Sequence, residues 1–202
     1  YSNRMEIFYI DTYPLMHHPR SNPPDVTRAF STLVHEFQHM VNHNRNRIVE
    51  GGANMPTWLN EGMSMAAEHI YGGALTRRIS YYNFSNIIRD GHSLLRWGDN
   101  GDVLANYALS YLFLQYIKEQ CGQGDSIFRE MLLDSANDYM AVDNVIRKYI
   151  DPNMTFREFM TSFRLALRLN ESSGLYGFNG SFGNITTRLY TGNGRTLYGG
   201  AA

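Results

Sequence analysis

From Phe30 to Val41 the apolar side chains recur at helical spacing. Phe30, Leu33, Val34, Phe37, Met40 and Val41 surround a short polar run, the pattern of an amphipathic helix that buries one face. Asp25 or Thr27 is placed to cap its start. Trp58, Leu59, Met63, Met65, Ala66 and Ala67 describe a second, mostly buried helix opened by Pro56-Thr57, with Thr57 as its cap. Helices are expected near 57–71, 76–89, 103–120, 126–134, 139–149 and 156–170. Gly122 stops the one over 103–120, and Thr155-Phe-Arg-Glu158 forms a capping box for the last. Before them all, Met5 to Tyr13 reads as a strand ended by Pro14, followed by a Pro/Asn/Ser loop to Pro24. After Ser172, aromatics alternate with Gly, Asn and Ser without helical period, so 172–202 reads as a hairpin appendage, the start of another domain, or a linker. The expected class is α+β, mostly α, with one domain over 1–171 and that tail.

Composition narrows the function more than the fold. With 202 residues and 43% hydrophobic content the chain can bury a sizeable core. A net charge of -1 offers no basic field for nucleic acid. No apolar run is long enough to span a bilayer and none resembles a signal peptide, so a processed or trimmed piece of a longer protein is expected. Cys121 stands alone, which excludes an internal disulfide framework and a Cys-His metal cluster. Nothing in the chain specifies an oligomeric state.

The polar run on the first helix is His35-Glu36-Phe37-Gln38-His39. Residues four apart on a helix share a face and are separated by about 6 Å along the axis, so both imidazoles can meet one tetrahedral metal ion. Glu36, between them, is badly placed as a ligand but can reach a water beside the metal as a general base. One further protein ligand is required if a position is to stay open for that water. A metzincin would carry glycine and histidine where this chain has Asn42 and Arg45, which excludes that class. His43 lies a turn further along the face, too far on a rigid helix, and reads as a helix-end or rim residue.

Glu61, in Trp58-Leu-Asn-Glu-Gly62, is the stronger candidate for the missing ligand, because a carboxylate on a buried helix must be paired or metal-bound. Glu50, in a loop before Gly51-Gly52, is the rival. The acidic turn Asp99-Asn-Gly-Asp102 is the candidate for calcium; lacking a distal glutamate, it reads as a solvated turn.

These two helices resemble the gluzincin active site, in which a His-Glu-x-x-His helix is followed by a glutamate ligand on a neighbouring helix. Trp58-Leu-Asn-Glu-Gly62 is similar to the aminopeptidase N type, and its Asn-Glu pair also occurs in thermolysin-like enzymes. The run from Ile7-Phe-Tyr-Ile-Asp-Thr-Tyr-Pro14 through both helices resembles most the hyicolysin family of secreted bacterial metallopeptidases. The resemblance covers Ile7 to about Tyr116. It implies a zincin-like fold, one zinc ion on His35, His39 and Glu61, protein or peptide substrates, and a secreted or cell-surface bacterial location.

Matched motif by motif, the resemblance implies further roles. Glu68, seven residues after Glu61, takes the place of the carboxylate that holds a ligand histidine, against the alternative of a surface ion pair with Arg77 or Arg78. Tyr107, in Tyr107-Ala-Leu-Ser110, takes the place of the transition-state tyrosine, although Ser110 stands where glycine is usual and a core aromatic is the bland alternative. His92 and Trp97, in the loop before that helix, and Asn60, beside Glu61, are candidate substrate contacts. Such an enzyme hydrolyses peptide bonds with Glu36 as base. Endopeptidase action is expected, because the Gly-x-Met-Glu-Asn element that captures a free amine is absent and only Arg4-Met5-Glu6-Ile7 echoes it. Aminopeptidase trimming and a zinc-stabilised adhesin without chemistry are the alternatives, the intact Glu36 speaking against the latter.

Overall fold

The computed structural model describes residues 26–97 and 101–186 together with Ile7, Tyr9 and Tyr13. The strand expected over Met5–Tyr13, with Glu6, and the candidate cap Asp25 lie outside the described residues or almost wholly so. What is described is mostly helical: α1 Phe30–His43, α2 Thr57–Gly72, α3 Thr76–Phe84, α4 Asn86–Arg89, α5 Val103–Cys121, α6 Ser126–Leu133, α7 Tyr139–Tyr149 and α8 Phe156–Leu169.

Helix α5 is the core. Thirteen of its residues are buried, including Tyr111, Phe113, Leu114, Tyr116 and Ile117, so it reads as apolar all round. Asp102 caps its start by accepting from Leu104 N and Ala105 N, and Gly122, at φ 64°, ends it in the left-handed conformation expected of that glycine. Phe113 stacks against Phe163 of α8 at a centroid distance of 5.0 Å, and Tyr116 against Phe159 at 4.8 Å. Each such ring removes enough apolar area from water to contribute about 1.5–3 kcal/mol. The Thr155–Glu158 capping box that begins α8 is present with both of its hydrogen bonds.

Four local expectations need correction. Pro56 occupies the cap position of α2 in place of Thr57, in extended conformation, its carbonyl accepting from Leu59 N and Asn60 N. Thr27 does not cap α1, because a 3-10 turn over Val26–Ala29 leads into it and leaves Ala29 at the cap. The expected helix over 76–89 is broken at Ser85, which is extended (ψ 119°) and turns its hydroxyl to cap α4 by accepting from Ile88 N. Helix α1 is less buried than its apolar pattern suggests: among the described residues its main packing partner is α2, and Phe37 remains 55% exposed.

The segment after α8 belongs to the same body as far as Thr186. Phe178, Phe182 and Ile185 are buried with the helical core, and Tyr116 donates its hydroxyl proton to Leu175 O at 2.6 Å. These three side chains pack into the same apolar cluster as the helices. Residues 187–202 lie outside the described residues.

Gly62 sets the approach of α2 to α5. A Cβ there would stand 2.4 Å from Leu114 Cδ2, on a side chain with no exposed surface, so that side chain or the helix would have to shift. Gly62→Ala is therefore expected to destabilise the fold by about 1–3 kcal/mol, read from the midpoint of urea unfolding. An unchanged midpoint would show that Leu114 repacks freely.

Candidate metal centre

Helices α1 and α2 form a hairpin joined by a six-residue π-helical turn, Asn44–Val49, and the loop through Pro56. Their polar pairs run in opposite order along the two helices. Ser31 and His35 meet Glu68, His39 meets Ser64, and Asn42 meets Asn60, so the helices lie antiparallel. Gln38 donates to Asn42 at 2.8 Å, and Asn42, 1% exposed, donates to Asn60 Oδ1 at 2.7 Å. Asn60 thus joins the two helices through its carbonyl oxygen.

Between the helices three donor atoms converge. His35 Nε2 lies 3.2 Å from Glu61 Oε2, His39 Nε2 lies 3.1 Å from His35 Nε2, and His39 Nε2 lies 3.5 Å from Glu61 Oε2. Ligands bound at about 2.0–2.1 Å around a tetrahedral zinc stand about 3.3 Å apart, so the triad fits such an ion with one corner left over. The other imidazole nitrogens are engaged elsewhere. His35 Nδ1 donates to Glu68 Oε1 at 2.6 Å, and Ser31 donates its hydroxyl proton to the second oxygen of Glu68. His39 Nδ1 meets the Ser64 hydroxyl at 3.0 Å. With Nδ1 of each ring engaged on the far side, both Nε2 atoms are turned toward Glu61, where a proton or a metal ion is needed between them.

Electrostatics agree. Burial by itself would lower the His35 imidazole, but hydrogen bonds to Glu61 and Glu68 outweigh it and raise its pKa to about 9. Burial by itself would raise the Glu61 carboxyl, but hydrogen bonds from His35 and His39 bring it down to about 2. Two carboxylates thus demand positive charge between them, supplied by a proton or by a metal. Around neutral pH metal uptake must displace the His35 proton. Because both imidazoles are raised, metal affinity measured by chelator competition should rise with pH until His35 deprotonates unaided, near pH 9. A pH-independent affinity between 6.5 and 9 would contradict this.

The rivals for the ligand set are elsewhere. Glu50 is ion-paired with Arg45 at 2.6 Å, and His43 is the exposed last residue of α1. Asp102 uses both carboxylate oxygens on protein donors, Oδ1 on its own helix and Oδ2 on the Tyr81 hydroxyl, while Asp99 lies outside the described residues. His69 turns away from the metal ligands to meet the Tyr111 hydroxyl at 2.8 Å. Glu36 is exposed on α1 beside His35.

Tyr107 is half-buried and its hydroxyl responds to the triad. Burial first, then the charge of Glu61 and a hydrogen bond to it, push its pKa above the usual tyrosine value. Trp97 packs edge-on against Tyr107 at 5.2 Å. His92 donates to Asn106 Oδ1 at 3.0 Å and lines a cavity of about 520 Å³ whose walls include none of the three ligands.

Ser31 and Ser64 escaped the sequence reading. Ser64 shares the face of Glu61 and Glu68 at helical spacing, and Ser31 lies one turn before His35, so a search for hydroxyls at those offsets would have found both. Removing the carboxylate that orients His35, in Glu68→Ala, should weaken metal binding by about 10–100-fold in a chelator titration. Wild-type affinity would reduce the 2.6 Å contact to a bystander.

No protein-family model matches the chain. Over 185 residues, 91% of its length, it is 50% identical to the neutral metalloprotease ShpI of Staphylococcus hyicus, and it spans 42% of that protein. The chain is thus related along nearly its whole length to a neutral metalloprotease, and His35, His39 and Glu61 form a group that could hold a metal ion.

Proposed function

We propose that this chain is the zincin-like catalytic part of a secreted zinc endopeptidase. The observation that carries this reading is the tetrahedral spacing of His35 Nε2, His39 Nε2 and Glu61 Oε2, together with the relative's name. A zinc ion held there supplies a Lewis acid that polarises the scissile carbonyl and lowers the pKa of a water at the open position to about 7. Glu36, next to His35 and open to solvent, accepts the proton of the attacking water and passes it to the leaving amine. Tyr107 donates its hydroxyl hydrogen to the oxygen on which negative charge develops. No covalent enzyme intermediate is involved. Trp97 lies against Tyr107 and supports its ring, whereas His92, held by Asn106, lines a cavity away from the three donor atoms.

The test is hydrolysis of casein and of internally quenched peptides whose amino termini are blocked. Cleavage that disappears with a zinc chelator and returns with one equivalent of zinc is expected. Cleavage that survives removal of all metal would refute the zinc reading, and trimming of free amino termini alone would replace endopeptidase by aminopeptidase.

A further inference from the structure

The sequence offers Arg77 or Arg78 as an ion-pair partner for Glu68, but the structure gives Glu68 to His35 and Ser31. Arg78 is instead laid over the aromatic face of Tyr107, its guanidinium carbon 4.6 Å from the ring centroid. Among the described residues no carboxylate lies within ion-pair distance of it. The half-buried guanidinium is held where the ring quadrupole attracts it. On another side of the same ring Trp97 presents its edge, interplanar angle 84°, and Trp97 is itself tied down by Nε1 donating to Leu94 O at 3.1 Å. The phenol that departs from α5 is therefore clamped by α3 and by the loop before α5, with its hydroxyl left toward Glu61.

We propose that Arg78 is a positioning residue that acts through Tyr107: stacked on the ring, it aims the hydroxyl at the developing oxyanion and touches no substrate. This rests on the reading of Tyr107 as the oxyanion donor. The stacked cation restricts the ring to one attitude, which is what a hydrogen bond made only in the transition state requires.

The experiment is a double-mutant cycle on the metal-loaded protein with Arg78→Leu, Tyr107→Phe and the double variant, measuring kcat, KM and bound zinc on one quenched peptide. Tyr107→Phe should lower kcat by about ten- to a thousandfold with KM little changed. Arg78→Leu should lower kcat by about tenfold with full zinc content and KM within about twofold. The double variant should be no slower than Tyr107→Phe alone, because without the hydroxyl there is nothing left to aim. Arg78→Lys, which keeps a cation over the ring, should recover part of the loss and serves as the second variant should Arg78→Leu fold poorly. Equal losses from removing Arg78 in both backgrounds, or a raised KM at unchanged kcat, would overturn the proposal while Tyr107 kept its role. A fully active Tyr107→Phe would sink both, and the two failures are thereby told apart.

Discussion

Glu36→Gln is expected to keep its metal and lose its turnover. The amide has the shape of the carboxylate but cannot take a proton, and positioned general bases contribute on the order of a hundred- to ten-thousandfold to the rate. The substitution sits on the exposed side of α1 and touches no part of the core, so the thermal midpoint and the zinc content should both match the parent protein. Purified variant and parent would be compared on the same quenched peptide. If the variant kept more than about a tenth of the parental kcat, another group would be the base. The comparison also speaks to the adhesin alternative, since a binding module would show no activity to lose.

The ligand set makes the second large effect. His35→Ala, His39→Ala and Glu61→Ala each remove one corner of a three-atom site, and each should lose stoichiometric metal on elemental analysis after dialysis. Two remaining donors bind zinc far more weakly than three, and truncation leaves the others facing one another without the cation that reconciles them. Glu50→Ala and His43→Ala should retain the metal. Glu50 is occupied with Arg45, and His43 ends α1 a full turn past His39. Zinc retained in Glu61→Ala together with loss in Glu50→Ala would overturn the gluzincin arrangement.

Most helices were legible along the chain because their signals are local. The Thr155–Glu158 capping box and Gly122 mark helix ends within one turn, and both act as read. The break at Ser85 was not legible. Nothing in the apolar period of 76–89 forbids a continuous helix, and the hydroxyl that stabilises the break is a choice between two locally acceptable conformations. The cap of α2 failed for a similar reason: Thr57 is a good capping residue, but Pro56, with its restricted φ and no N–H, already holds the boundary.

The sequence by itself determined the placement of side chains that depends on neighbours along one helix. His35 and His39 share a face because they are one turn apart, and Glu36 is beside them for the same geometric reason. Selection of Glu61 over Glu50 also followed from the sequence, through the burial implied by the residues around it. The tertiary structure decided everything that depends on one helix meeting another. Glu61 comes within 3.2 Å of His35 across 26 residues of chain, Ser64 supports His39, Ser31 and His35 share Glu68, and Arg78 lies on Tyr107. Periodicity states which face of a helix is apolar but not which residues of another helix will lie against its polar edge. That is set by the approach of α2 to α1 and α5, and on the α5 side Gly62 permits the close contact.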